Sequence, residues 1–300
     1  MEKTVKSIEY DYYERNKLIE MLCEKYRFIK KSVIGKSCSG KDIKALKIGD
    51  ASAYCLIAAA FHGSERITST VALMFLENLC RALEKDDYIA GLKARRAIVG
   101  RGVIIVPCVN PDGCDISLLG ERVCSDAPIN IPRLCKNDFI HWNANLRGVD
   151  INHNFNAGWK ELRKAEQESW IYGPAPTRFG GYLPESEPET KALTELCRKI
   201  KMRHVVALHS QGEVIYWDYG GKNIPRSRKM AEIMATSSGY ALDIPTGLAV
   251  GGGFKDWFIS EFSRPGFTVE IGCGKNPLPA ENAEKIYKAI EEMLMLCSIM

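Results

Sequence analysis

The sequence predicts an α/β domain built on a buried sheet, and three observations carry the prediction. Largely apolar stretches of strand length at 54–61, 103–109, 204–208 and 267–271 show no helical stripe, as strands covered on both faces do. Longer segments between them carry apolar residues at helical spacing. The two kinds alternate without a Pro/Gly/Ser-rich linker or a repeat, which favours a single domain over residues 1–300, with an N-terminal helix and hairpin (1–50) packed onto it.

In chain order, 12–26 reads as a helix with Leu18, Met21 and Leu22 on one face. Strands 28–35 and 43–48 follow, joined by the turn 36–41. Gly35 to Lys41 fits the start of a phosphate-binding loop, G-x-x-x-x-G-K, but Asp42 stands where Ser or Thr is needed for magnesium, and a strand follows instead of a helix, so the hairpin reading wins. The apolar run 54–61 leads into His62–Gly63–Ser64–Glu65. Thr68 is the expected cap of a helix whose face carries Val71, Phe75, Leu76, Leu79 and Leu83. The strand 103–109 ends at the turn sequence Asn110–Pro111–Asp112–Gly113, and 113–147 reads as loop-rich. The stretch 148–156, G-V-D-I-N-H-N-F-N, is polar at alternate positions and does not suit core packing. Ser186 and Glu189 form an expected capping box for a helix through Ile200. His209 ends the strand 204–208, and 214–218 is a shorter strand. A helix at 224–239 stops at glycine. Gly251–Gly252–Gly253 is a close-approach segment. Glu270 is the one carboxylate in the strand 267–271, and 280–298 is an amphipathic final helix.

With 46% hydrophobic and 26% charged residues, the 300-residue chain has an ordinary globular balance. The net charge of +4 is spread along it, without a basic block interleaved with aromatics, so a nucleic-acid partner is not expected. No apolar run approaches the length of a membrane span, and the N-terminus lacks an apolar signal core. The 11 cysteines are scattered, without a C-x-x-C pair, and read as reduced core thiols. Together these point to a cytoplasmic protein without a membrane partner. The oligomeric state is left open.

His62 and Glu65, three residues apart on a tight turn after a buried strand, can aim at one metal ion. Zinc accepts imidazole nitrogen and carboxylate oxygen at about 2.0–2.2 Å. Taken singly, a histidine after a strand is more often a hydrogen-bonded residue than a ligand, and H-x-x-E alone is a weak signal. Taken together, His62, Glu65, His209 and Glu270 make a two-histidine, one-carboxylate zinc site with a spare base. Three protein ligands leave a position for water, and a nearby carboxylate can move its proton to a leaving amine.

The ordered motifs resemble the zinc carboxypeptidases over nearly the whole chain: I-G-K-S-C-S-G-K-D-I-K-A-L-K-I-G, F-H-G-S-E-R, V-N-P-D-G, G-V-D-I-N-H-N-F-N, S-E-P-E-T, L-H-S-Q and F-T-V-E. The resemblance implies a mixed, twisted sheet of about eight strands with helices on both faces. It implies one Zn2+ per chain held by His62, Glu65 and His209, with Glu270 as general base. It also implies that Asp150 accepts a hydrogen bond from His62 and fixes its tautomer.

The departures bear on substrate. His153 stands where digestive members carry the arginine that grips a terminal carboxylate. Asn143 falls near the arginine that steadies the oxyanion, and Ile259 falls at a family tyrosine, while Asn152 is kept. W-N-A-N-L-R-G-V-D, N-A-G-W, P-A-P-T-R-F-G-G-Y and L-H-S-Q-G-E-V-I-Y-W resemble the bacterial subgroup that cuts cell-wall peptides between γ-D-glutamate and a diamino acid such as meso-diaminopimelate. Asn143, Asn152, His153 and Arg178 are then the candidate substrate-binding residues, with Arg178 the cation for a substrate carboxylate and peptidoglycan peptides the expected partner. Two other readings compete: a carboxypeptidase or deacylase acting on another amide, and a metal-poor relative that only binds peptides. An intact ligand set with a base on a strand argues against the second.

Overall fold

The computed structural model describes residues 3–222 and 224–300. Helix α1, Tyr12–Lys25, starts on an unanticipated capping box. The Asp11 carboxylate accepts from the Glu14 amide, and the Glu14 carboxylate accepts from the Asp11 amide. The hairpin follows as antiparallel strands β1, Lys30–Lys36, and β2, Asp42–Ile48. The phosphate-loop look-alike is their turn. Its Lys41 ammonium lies 2.8 Å from Asp115 and 3.2 Å from Asp112, so the charge a phosphate would need is already engaged.

Six further strands complete the main sheet: β3 (Tyr54–Ala59), β4 (Gly102–Val106), β5 (Met202–His209), β6 (Val214–Tyr216), β7 (Ala241–Asp243) and β8 (Gly266–Glu270). Their order is β1-β2-β4-β3-β5-β8-β6-β7. The central four, β4, β3, β5 and β8, are parallel; β2 is antiparallel to both β1 and β4, and β6 is antiparallel to β8 but parallel to β7. The sheet is therefore mixed and eight-stranded, as expected.

Alternate residues of each central strand feed opposite cores. Cys55, Ile57 and Ala59 of β3 pack with Leu18 of α1, Val71 and Leu79 of α2 (Ile67–Lys85), Met230 of the helix Ser227–Ser238 and Ile290 of the helix Ala283–Ile299. Tyr54, Leu56 and Ala58 pack with Leu193 of the helix Pro188–Lys199 and Trp257 of the helix Phe254–Phe262. Helices thus cover both faces. Full burial of one such Leu or Ile is worth about 1.5–3 kcal/mol. Propensity differences per residue stay under about 1 kcal/mol, so burial decides which way each strand faces.

Several local expectations change. Asn110–Pro111–Asp112–Gly113 opens helix α3, Pro111–Leu119, with the Asn110 side chain accepting from the Gly113 amide and Pro111 in the first turn. The stretch 113–147 therefore begins in a helix and holds another short one, Ile131–Cys135. Thr68 lies inside the first turn of α2 and is not its cap. Its hydroxyl donates to the Glu65 carbonyl and accepts from the Ala60 amide, tying the metal-motif turn to β3. Ser186 does not cap the helix Pro188–Lys199, whose N-cap is Glu187; the Ser186 hydroxyl donates to the Glu187 carboxylate, and Glu189 is fully buried. The helix Trp159–Glu168 buries the charged Arg163 and Glu166 beside Leu162, and Phe254–Phe262 is buried along most of its length, so neither carries an apolar stripe on one face, and both are absent from the expectation.

Candidate active site

β3 delivers the chain to His62 at the carboxyl edge of the parallel strands, and Gly63–Glu65 make one tight 3-10 turn before α2. The turn is wedged. The Gly63 amide donates to the Asn143 carbonyl, and a β-carbon at Gly63 would overlap the carbonyl oxygens of Gly113 and Trp142. Gly63→Ala should therefore cost about 1–3 kcal/mol, the usual range for overpacking, because the obstacle is backbone. Unchanged thermal unfolding and zinc content in that variant would remove this account of the turn.

Strands β5 and β8 end beside β3 at the same edge, in parallel register, with Glu270 opposite His209. Crevices beyond the carboxyl ends of parallel strands are where such sheets bind ligands. Here His62 Nδ1 lies 2.8 Å from one Glu65 carboxylate oxygen, and His209 Nδ1 lies 3.0 Å from the other. The two Nδ1 atoms are 3.3 Å apart. The Phe61 ring stacks on His209 with centroids 4.9 Å apart, holding that imidazole flat. On its far side His62 Nε2 lies 3.1 Å from Asp150 Oδ1 and donates to it, so Nδ1, which faces Glu65, is the nitrogen that would give up its proton to a metal ion. Two imidazole nitrogens and a carboxylate converging on one point fit a zinc ion.

The electrostatics agree with a site made for positive charge. Burial opposes charge on Glu65, yet His62 and His209 hold its carboxyl down at about 2. Burial also opposes charge on Asp150, and His62, His153 and the Arg178 amide outweigh it, keeping Asp150 well below the usual carboxylate range. His62 is lowered by burial but raised further by Glu65 and Asp150, and ends well above its ordinary value. Glu270 goes the other way. Burial, then the nearby Glu65 charge, push it up to about 8, with His62 pulling back. Positive charge bound at the triad would work in the same direction as His62.

A second group, Cys38, Glu187 and Glu189, also brings ligating atoms together. The Asn145 amide nitrogen lies within 3.2 Å of both carboxylates, and burial raises Glu189 to about 7, so a shared proton suits this cluster better than a cation.

A cavity of about 410 Å3 opens over the triad. His62, His209, Glu270, Asn152, His153 and Arg178 line it. His153 Nδ1 lies 2.7 Å from the buried Glu166, which also pairs with Arg163, so the imidazole is braced from behind. The Asn152 side-chain oxygen accepts from the Phe254 amide at 3.0 Å. Arg178 has a left-handed backbone, its amide donates to Asp150, and its guanidinium has no ion-pair partner among the described residues. Asn143 does not line the cavity. Its side-chain oxygen accepts from Ser64 at 2.5 Å, because its carbonyl must stay on the Gly63 amide. Ile259 is buried in its helix. The cavity also holds Tyr216, Thr268, Lys255 and Asp256, which sequence reasoning does not single out. The signal for the last two was a charged pair inside F-K-D-W-F, at the start of an otherwise apolar helix.

Such a site defines a metal-dependent hydrolase of amide bonds. The zinc carboxypeptidase family matches residues 16–295, and the chain belongs to that family of metallopeptidases. It is 36% identical over 289 residues to gamma-D-glutamyl-L-diamino acid endopeptidase 1 of Lysinibacillus sphaericus, covering 93% of this chain and 69% of that one. It is 27% identical over 209 residues to murein peptide amidase A of Escherichia coli (strain K12), covering 67% and 64%. The crystal structure of thrombin activatable fibrinolysis inhibitor shares the fold, with a TM-score of 0.76 at 18% identity over 99% of this chain and 76% of that one.

Proposed function

We propose that this peptidase hydrolyses the amide between the γ-carboxyl of D-glutamate and a diamino acid in bacterial cell-wall peptides, with meso-diaminopimelate as the diamino acid. The observation that carries the reading is the 36% identity, across 93% of the chain, to an endopeptidase named for that bond. Zinc held by His62, Glu65 and His209 would supply a Lewis acid and make a water acidic enough to react near neutral pH. Asp150 holds His62 in the tautomer whose Nδ1 is free to ligate. Glu270 accepts the proton of the attacking water and hands it to the leaving nitrogen. His153, with its ring already engaged by Glu166, offers one donor at most, a poor grip for a terminal carboxylate compared with a two-pronged guanidinium. Arg178, lining the cavity and without an ion-pair partner among the described residues, supplies the cation for a substrate carboxylate.

The eleven free cysteines support a reducing, intracellular setting, in which the enzyme recycles wall peptides. Among the described residues no helix is long and apolar enough to cross a membrane.

The test is incubation of the zinc-loaded protein with defined wall peptides and mass analysis of the products. Arg178→Ala should weaken transition-state binding of γ-D-glutamyl-diaminopimelate peptides by about 1.5–3 kcal/mol, roughly ten- to hundredfold in kcat/KM, with zinc content unchanged. Efficient trimming of a hydrophobic C-terminal residue from ordinary peptides would overturn the substrate assignment.

A further inference from the structure

Two thiols stand beside the metal-motif turn, and the mechanism above uses neither. Cys108 follows β4, and Cys114 lies on α3. Their sulfurs are 3.7 Å apart, and with Ala60 they form a small buried cluster of their own. Cys114 is fully enclosed, while Cys108 keeps 5% exposure. Cys108 lines a hollow of about 10 Å3 between α1 and the loop 107–111, room for one molecule of about water's size. Arg15 of α1 lines the same hollow and is itself only 4% exposed. One terminal nitrogen of its guanidinium donates to the Tyr10 carbonyl at 3.3 Å, and the other has no acceptor among the described residues. The neighbouring Asp115 carboxylate is already engaged, by Lys41 at 2.8 Å and the Tyr12 amide at 3.0 Å.

A buried guanidinium with an open donor calls for an anion. The Cys108 sulfur meets that need as a thiolate, and the Cys114 thiol can donate to it. Burial raises the Cys108 thiol, but Cys114 and then Arg15 more than offset it, and Cys108 lies below its ordinary value. Cys114, raised by Cys108 and by burial, keeps its proton. A stabilised thiolate beside a second thiol is the arrangement of a peroxide-sensing pair. Closing the gap to the roughly 2.05 Å of a disulfide draws the sulfurs together by more than about 1.5 Å. That movement reaches the metal-motif turn by two routes. Gly113, next to Cys114, sets its carbonyl against Gly63, where not even a β-carbon fits. Ala60, packed with both cysteines, has a left-handed backbone at φ 53°. It is held there by the Asn110 amide on its carbonyl and the Thr68 hydroxyl on its amide. Strain of that kind persists only while its surroundings hold it.

We propose that Cys108 and Cys114 form a modification site for hydrogen peroxide, and that their closure as a disulfide loosens the grip of His62 and Glu65 on zinc. The Cys108 thiolate attacks one peroxide oxygen. The O–O bond breaks, hydroxide leaves with the electron pair and takes a proton from solvent, and Cys108 becomes a sulfenic acid. The Cys114 sulfur then attacks the Cys108 sulfur. The S–S bond forms, the S–O bond breaks, and the hydroxyl leaves as water with the Cys114 proton. Two thiols lose two electrons, and one peroxide becomes two waters. The narrow hollow selects so small an oxidant over a glutathione-sized disulfide, and the Arg15 charge disfavours a thiophilic metal cation. Transient disulfides of this sort suit a reducing compartment. The inference rests on the zinc ligands proposed above and not on which amide is cut.

In the experiment, zinc-loaded protein is treated with a few equivalents of hydrogen peroxide. Trypsin then releases both cysteines on one peptide, 102–122. In wild type that peptide should lose two hydrogens and regain them after a thiol reductant. The oxidised protein should bind zinc at least about tenfold more weakly in competition with a chromophoric chelator, the lower end of what disturbing a partner behind a ligand costs. Reduction should restore the affinity. Cys108→Ser should keep its zinc affinity through the treatment. Cys114→Ser should stop at the Cys108 sulfenic acid, which a cyclic 1,3-diketone traps. Cys273, which is exposed, gives the background: its oxidation without a bridge in 102–122 overturns the proposal. So does a bridge that leaves zinc affinity unchanged, or a loss of affinity that persists in Cys108→Ser. If the serine variants do not fold, the wild-type peptide and its zinc affinity decide the matter alone. A wild type that takes up no zinc before treatment refutes the ligand set and the coupling together, while the same peptide still reports whether the pair closes.

Discussion

His209→Ala should lose zinc and turnover together. Perturbing a partner behind a metal ligand typically costs about 10–100-fold in affinity or activity, and deleting a ligand outright should exceed that. His209 contributes one of the three converging atoms, 3.0 Å from Glu65 and 3.3 Å from His62 Nδ1, and among the described residues no third imidazole converges on that point, His153 being engaged by Glu166. The loss should not be a folding defect. The hole left beside the Phe61 ring is local, and β5 keeps its pairing with β3 and β8 through the backbone. Metal analysis and thermal unfolding on the same sample separate the two causes. A His209→Ala protein with stoichiometric zinc would show that the ligand set is wrong. Chelation of wild type should likewise abolish activity while the chain stays folded at neutral pH. The Glu65 carboxylate already sits between two imidazoles, and they hold it at about 2 against the penalty of burial. Because this folded value lies below the ordinary carboxylate value, its contribution to stability is present above about pH 4.5 and lost as pH falls toward 2.

Glu270→Gln should keep zinc and lose about 10²–10⁴-fold in turnover, the usual worth of a general base. The amide is nearly the same shape and cannot take a proton from water. Glu270 lines the cavity at the end of β8, opposite His209 in register. The pH profile is the more specific reading. Burial, then Glu65, raise Glu270 to about 8 in the metal-free protein. Zinc at the triad adds positive charge and lowers it, so the loaded enzyme should hold the reactive carboxylate to a lower pH. Wild-type activity should fall as pH drops through that value, because the base becomes protonated. The residual activity of Glu270→Gln should lack that limb. Near-normal turnover in the Gln variant would sink the assignment of Glu270 as the base.

Much of this protein is legible in one dimension, for reasons that are local. Strands 54–59 and 102–106 are continuous apolar runs, and so is 205–208 within the strand 202–209, because both faces are covered, and no partner has to be known to see them. His62, Glu65, His209 and Glu270 stand out because polar groups at the ends of such runs have few structural reasons to be there. The helix start at Tyr12 is local too and agrees with its expected bounds, whereas the start after Asn110 reads as a turn because Pro111–Asp112–Gly113 suits a turn as well as a first helical turn.

Tertiary structure alone decided what each of those groups touches. Parallel register sets Glu270 opposite His209, 61 positions away in the chain, and the return of 148–156 sets Asp150 behind His62. The same packing engages His153 with Glu166, draws Asn143 away to Ser64, and buries Lys255 and Asp256 in the cavity wall. Each of these rests on a hydrogen bond or an ion pair whose strength depends on burial. Burial is a property of how layers meet, so spacing along the chain carries no trace of it.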